Sequence, residues 1–335
     1  VQLSEFDFEL PAERIAQSPL ERRDESRLML LEREGGEPSH HRFHDVLELL
    51  PENTLLVLNE SRVIPARFLG RRESGGKVEV LLVEPAADGS WEALIRCGGT
   101  LRPGEEELVL EEGQATLRVL EKVAGGRFRV AFRDEGVLEA AERCGRMPLP
   151  PYIRREAEAS DRQTYQTVFA RVPGAIAAPT AGLHFTPQLL EALEARGVTL
   201  ARVVLHVGLG TFLPVRAERL ADHVMHSERY EVPPATQALL ADPPGPVIAC
   251  GTTAVRAVEA YAASGEPEGS TDLFVTPGYT FQRVEGLITN FHLPQSTLLM
   301  LVSALVGRER LLAAYATAID AGYRFYSYGD AMLIR

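Results

Sequence analysis

The sequence predicts an α/β protein: a layered α/β main domain, discontinuous in the chain, with an inserted antiparallel β-barrel domain. A chain of 335 residues exceeds the size at which one hydrophobic core stops growing, so two domains are expected. Residues 66–146 form short, partly alternating apolar segments separated by Gly-rich turns, the pattern of a small antiparallel barrel. Outside that window, strand-like runs alternate with helix-period runs, which builds a layered sheet. The expected division is 1–65 with 147–335 as the α/β catalytic domain and 66–146 as the barrel.

The first 65 residues end in "TLLVLNESRV", a buried strand and a turn. About six strands are expected in the insert, from "ARFLG", "KVEVLLVEP", "WEALIRC", "EELVLEE", "ATLRVLEKV" and "GRFRVAFRD", with "ESGG", "ADGS" and "AGG" as turns. The Pro-rich "MPLPPYI" at 147–153 reads as the linker leading out. In "TPQLLEALEARG", Thr186 is placed as N-cap, Pro187 at the first helical position and Gly197 as terminator. A strand "TLARVVLHVG" follows. "GPVIACGTTAVRAVEAYAASG" is strand, turn and helix, "GLITNF" another strand, and "STLLMLVSALVG" and "RERLLAAYATAIDAG" are helices.

With 45% hydrophobic and 24% charged residues, the composition is that of an ordinary soluble globule. The amino-terminal stretch has acidic residues and Pro where a secretory signal would need a basic start and an apolar run, so no export is expected. The run "TLLMLVSALVG" falls short of the ~20 residues of a membrane span. Cys97, Cys144 and Cys250 are odd in number and far apart, which suits a reducing cytoplasm, offers no CxxC pair, and reads as three core thiols. The formal charge of −12 is the wrong sign for gripping nucleic acid by bulk electrostatics, so an RNA partner would need a local basic face. Only Lys77 and Lys122 among 35 basic residues are lysines, and both sit in strand-like segments. Schiff-base chemistry and a phosphate-loop lysine are thereby disfavoured.

The clearest site is "VIACGTTAVRAVE", where a strand runs through Gly251, Thr252 and Thr253 into a helix. Backbone N–H groups and two hydroxyls at a helix N-terminus suit a carboxylate or phosphate; an ordinary capped turn is the competing role. "LHVGLGTFLPV" holds a Gly-x-Gly, Gly208 and Gly210, but lacks the third glycine of a dinucleotide fingerprint, and Pro214 argues against a helix there. A tight turn against a ligand fits better. His223 and His226 have i, i+3 spacing without the thiol pair or HExxH of a zinc site. His184, His206 and His292 each lie at a strand end or in a Gly/Pro-punctuated loop, from which side chains converge on pockets; structural packing is the alternative. "HHRFH" at 40–44 reads as solvated surface. Glu60 and Arg62 follow a buried strand, either as a structural ion pair or as ligands for hydroxyls and an anion.

Twelve runs, among them "FDFELP", "IAQSPLERRDESRL", "NESRVIPAR", "AAPTAGLHFT", "LHVGLGTFLPV", "MHSERYEVP", "ITNFHLPQSTLLMLVSA" and "YRFYSYGDAML", closely resemble, in order and over nearly the whole chain, the bacterial S-adenosylmethionine:tRNA ribosyltransferase-isomerases. The resemblance implies an α/β domain with an inserted barrel. It implies transfer and isomerisation of the ribosyl moiety of S-adenosylmethionine onto 7-aminomethyl-7-deazaguanine at the wobble position of tRNA, giving epoxyqueuosine-tRNA, adenine and methionine. Partners would be the anticodon loop and S-adenosylmethionine, with no prosthetic group, metal or membrane, in a cytoplasmic monomer. Departures are Ala254 where Ser is frequent, Val224 where a basic residue precedes "MHSE", and a short loop at 242–246.

Under that resemblance, His184 or His206 is expected as the base and His292 as a proton shuttle. Gly251, Thr252 and Thr253, with Arg256 one turn on, would hold the methionine carboxylate. Tyr326 and Tyr328 would face the sulfonium. Asp330 would bind the deazaguanine or ribose edge, and Glu60, Arg62, Thr180, Gly208, Gly210 and Asn290 complete the expected substrate set. Arg22, Arg23, Arg154 and Arg155 are expected on tRNA phosphates. Two rival readings fit the sequence less well. A methyltransferase would show a Gly-rich first strand-to-helix turn, which is missing. A non-catalytic RNA-binding barrel would need a stacking platform, and the insert offers mainly Phe68, Trp91, Phe128 and Phe132.

Overall fold

The strand Leu55–Asn59, of sequence LLVLN, is buried along its whole length, which only a sheet covered on both faces allows. The computed structural model describes residues 1–208, 210 and 217–335, and in it this strand is the fourth of a nine-stranded sheet. The order runs Glu268–Thr271, Glu228–Glu231, Thr199–Leu205, Leu55–Asn59, Val247–Cys250, Gly286–Asn290, Ala331–Ile334, Arg27–Leu31 and Ser39–Arg42. From Thr199–Leu205 to Gly286–Asn290 the four central strands are parallel. Ala331–Ile334 runs antiparallel to Gly286–Asn290, with Asn290 opposite Ala331. Consequently Asn59, Leu205, Cys250, Asn290 and Asp330 all reach one edge, the edge where open α/β sheets bind ligands.

Helices cover both faces. Thr252–Ser264, Thr297–Val306 and Arg308–Asp320 pack on one; Pro187–Ala195 packs on the other. The expected punctuation is realised: Thr186 Oγ1 accepts the N–H of Leu189 at 3.2 Å, Pro187 opens the helix, and Gly197 takes φ +94° just beyond it. Ser296 caps its helix in the same way, accepting from Leu299 N–H at 3.2 Å.

Between Arg67 and Phe132 six strands close into an antiparallel barrel, one for each predicted segment. The helix Val137–Cys144 adds Val137, Ala140 and Ala141 to the barrel core. An Arg67–Arg146 bridge brings the chain back beside its entry point.

Two expectations need correcting. Only Cys250 is a fully buried thiol; Cys97 and Cys144 are half-buried. "HHRFH" begins in the edge strand Ser39–Arg42, and the residue that follows the strand, Phe43, is wholly buried, because its ring stacks on His184 at 4.7 Å. The reading of Pro214 falls outside the described residues.

Candidate active site

Where Val247–Cys250 leaves the sheet, Gly251 adopts φ +88°, a conformation that suits glycine alone. The chain thereby turns straight into the Thr252–Ser264 helix. Gly251 N–H is spent on the sheet, donating to Ile288 O at 2.7 Å, so the free donors expected of a helix start are those of Thr252 and Thr253. Asn59, the last residue of the all-apolar strand, orients Thr253: its Nδ2 donates to Thr253 Oγ1 at 3.1 Å and to Leu205 O at 3.0 Å. With its oxygen already accepting, the Thr253 hydroxyl is left to donate.

Asn290 is the junction. Its Nδ2 donates to the carbonyls of Tyr326 at 2.8 Å and Ser327 at 3.2 Å, which turns Oδ1 toward His184 Nε2 at 3.2 Å. That nitrogen must therefore carry the proton, and Nδ1 accepts from Ser26 Oγ at 2.7 Å. Burial depresses the His184 pKa to about 4, so the ring is neutral with both nitrogens engaged. Tyr326 sits at φ +74°, uncommon for a non-glycine residue. Its carbonyl accepts from Asn290 and from Gly329 N–H at 2.9 Å, which holds the turn.

Thr180, Gly251, Thr252, Thr253, Asn290, His292 and Tyr326 come together around one narrow cavity, joined by Tyr152, Tyr165, Thr289 and Ser327. Its free volume is ≈ 50 Å³, but Leu298 also borders an adjoining cavity of ≈ 390 Å³ lined by Gly210, His223, His226, Arg256 and Phe274. His292 is buried, its Nε2 lies 2.8 Å from Thr289 Oγ1, and burial lowers its pKa to about 3. Burial likewise raises Tyr326 to about 12. The Tyr165 hydroxyl is buried with no hydrogen-bond partner among the described residues, although Tyr152 bonds Ser327.

Other expected residues stand apart. His184 and Tyr328 border a shallow cleft on the far side of Ser327, with Arg23. Tyr328 donates to buried Asp161 at 3.3 Å. The Asp330 carboxylate accepts two backbone N–H groups, of Arg27 at 2.9 Å and Arg324 at 2.7 Å, the turn role. Arg256 is buried and satisfied by Glu228 and the carbonyls of Leu273 and Thr271; Gly208 N–H donates to the same Glu228 at 2.9 Å. Glu60 and Arg62 do not pair with each other: Glu60 holds Arg171 at 2.7 Å, and Arg62 reaches Glu142 of the barrel-side helix at 2.5 Å. His206 packs against Gly174, its Nδ1 without a partner among the described residues, and burial lowers its pKa to about 4. Arg22 pairs with Glu25 at 2.8 Å, Arg23 donates to the carbonyls of Gln166 and Gln163, Arg155 grips Asp161 with two bonds of 2.7 Å, and Arg154 is exposed.

Sequence reasoning missed Asn59, Tyr152, Tyr165, Thr289, Ser327 and Asp161. An Asn closing an all-apolar strand was a readable signal for the first. The others act through contacts between distant segments.

The model of a family described as "Queuosine biosynthesis protein" matches residues 3–334. A Geobacter sulfurreducens protein named S-adenosylmethionine:tRNA ribosyltransferase-isomerase is 52% identical over 342 residues, covering 99% of each chain. A Geotalea uraniireducens protein of the same name is 51% identical over 345 residues, covering 100% of both. Among solved structures, the S-adenosylmethionine tRNA ribosyltransferase of Thermotoga maritima matches with TM-score 0.56 at 37% identity, covering 99% of this chain and 100% of that one.

Proposed function

The chain belongs to the queuosine biosynthesis protein family, and from that premise we propose which substrates it joins and which side chains do the work. It is an S-adenosylmethionine:tRNA ribosyltransferase-isomerase. It transfers and isomerises the ribosyl moiety of S-adenosylmethionine onto 7-aminomethyl-7-deazaguanine at the tRNA wobble position, releasing adenine and methionine and leaving epoxyqueuosine-tRNA. The observation that carries this reading is the meeting of a helix N-terminus, a neutral imidazole and tyrosine rings at one cavity of the sheet edge.

The Thr252 and Thr253 N–H groups and the Thr253 hydroxyl receive the methionine carboxylate, stabilised by the helix dipole. The sulfonium lies against Tyr326 and Tyr152, whose rings meet edge to face and attract a cation by ~0.5–2 kcal/mol. The rest of the cofactor-like substrate extends past Leu298 into the larger cavity. A sulfonium acidifies the adjacent 5′ carbon, so a group that accepts its proton generates the carbanion that expels adenine. His292 is that group, because burial keeps it unprotonated and it lines the cavity; His184 fixes Asn290 and through it the Tyr326 turn. Arg256 is committed to Glu228 and lends shape rather than charge. The aminomethyl nitrogen attacks as the neutral amine, and the modified base leaves its stack at a cost of a few kcal/mol. Arg22, Arg23, Arg154 and Arg155 flank the RNA path. Residues 1–65 and 147–335 act as the catalytic unit, with 66–146 inserted, in a cytoplasmic monomer.

Incubating the protein with S-adenosylmethionine and tRNA bearing the aminomethyl base should release adenine and methionine in equal amounts; S-adenosylhomocysteine in their place would overturn the reading. His292→Ala should slow adenine release by about 10²–10⁴-fold. Near-normal turnover by the folded variant would remove His292 from the chemistry.

A further inference from the structure

We propose that the groove between the Pro-rich segment and the barrel wall holds a second nucleotide of the anticodon loop, next to the one that reacts; this rests on the tRNA-modifying activity above. The groove has a volume of ≈ 440 Å³. On a barrel strand, side chains alternate inward and outward, and outward positions are ordinarily polar. Leu81 and Leu94 break that rule: they lie opposite each other on neighbouring strands, alternate with the buried Val80, Leu82 and Ala93, and line the groove with Ile153 and Ile176. Together they make an apolar floor suited to a nucleobase face.

The rim supplies charge of the right sign. Arg67, Arg96, Arg154 and Arg155 line the groove with Glu79 and Glu156; with Arg155 neutralised by Asp161, the rim still carries net positive charge in a chain of −12. Glu79 faces Arg96 across the strand pair, yet its carboxylate is taken by Arg67 at 2.8 Å. Arg96 and Arg154 are exposed and enter none of the ion pairs found among the described residues, so both remain available to phosphate oxygens. The groove also neighbours the catalytic cavity along the chain. Tyr152 lines the cavity, and Ile153, Arg154 and Arg155 line the groove. RNA that delivers a base to the first has the second within reach of its neighbouring nucleotide.

The test uses the full-length protein and an anticodon stem-loop carrying the aminomethyl base. Arg96→Gln should raise the KM for RNA by roughly fivefold at about 0.1 M salt and reduce the log–log salt slope by about 0.7 for one lost single-strand phosphate contact. The KM for S-adenosylmethionine and the kcat at saturating RNA should stay within about twofold, a split that general misfolding would not give. Leu94→Asp, which points out of the barrel core, should raise the RNA KM as well, and removing the flanking base from the RNA should abolish the difference between this variant and wild type. Unchanged RNA KM and salt slope in both variants, with wild-type turnover intact, would overturn the groove proposal alone. A wild-type dimer that Leu94→Asp dissociates, with no change in RNA KM, would assign the groove to a second copy of this chain and also overturn it. If wild type releases no adenine with this RNA, the catalytic reading and the groove fall together.

Discussion

The barrel and the carboxyl edge of the main sheet treat polar groups in opposite ways. Among the described residues, the buried polar side chains lie almost entirely outside the barrel, where Ser90 and Glu111 are the exceptions. Glu111 is structural, accepting from Leu69 N–H and from Arg146 at the barrel neck. At the sheet edge, by contrast, Asn59, Glu60, His184, Asn290, His292 and Asp330 are all buried. Polar groups taken from water must find partners or cost free energy, so each new one there constrains its neighbours. That edge is a coupled network because its polar groups are buried and bond to one another. Apart from the pairs Arg72–Glu106 and Arg146–Glu111, the barrel keeps its charges at the surface, where solvent decouples them.

The sharpest way to break this contrast is at the Arg155–Asp161 pair beside the site. Asp161 is fully buried and also accepts from Tyr328 and from Glu158 N–H at 2.7 Å. Burial alone would push its pKa up, but Arg155 and the other donors hold the carboxyl below the usual range. Removing one partner of such a pair strands the other, at about 3 kcal/mol. Asp161→Ala should therefore lose about that much in denaturant unfolding, and a loss below about 1 kcal/mol would show the edge to be less coupled than its hydrogen bonds indicate.

Legibility in the sequence divides along the same line. The six barrel strands were readable because alternation and Gly-rich turns are local signals. Helix limits were equally open, since Thr186, Pro187 and Gly197 act within one turn of their own position. The site was legible only at points where one residue announces itself, as with Gly251 ahead of two threonines. What Asn290 does was hidden, because its partners His184, Tyr326 and Ser327 are 106, 36 and 37 residues away. Arg256 misled for the same reason: its place one turn into the helix was visible, but Glu228, which neutralises it, was not assignable from spacing. Phe43 looked solvated among histidines because nothing local reveals the imidazole that covers it.

Acid should sharpen the contrast next. The barrel residues 66–146 contain no histidine, whereas His184 and His292 are buried and neutral, with pKa values of about 4 and about 3. A folded pKa below the unfolded value of about 6.5 means that unfolding takes up a proton, so stability is full above that value and falls as pH drops toward the folded pKa. Each imidazole should remove about 2 kcal/mol between roughly pH 7 and pH 5. His292→Gln, which can still bond Thr289, should flatten the pH dependence of unfolding by about one such contribution. Hydrogen exchange should accelerate at the sheet edge before the barrel; simultaneous loss of protection in both would erase the distinction.

The smallest effect belongs to the barrel surface, and it tests the other half of the argument. Arg118 bonds Glu107 at 2.9 Å, but its side chain is 54% exposed, and Arg133 also pairs with Glu107. An exposed pair gains little because water already solvates both ions and ordering two long side chains costs entropy. Glu107 keeps a cationic partner when Arg118 is removed, so no carboxylate is stranded. Arg118→Gln should then shift unfolding by less than about 0.5 kcal/mol and leave adenine release unaltered. A loss comparable to that of Asp161→Ala would mean that the barrel's charges form a coupled network too, and that burial is not what separates the two regions.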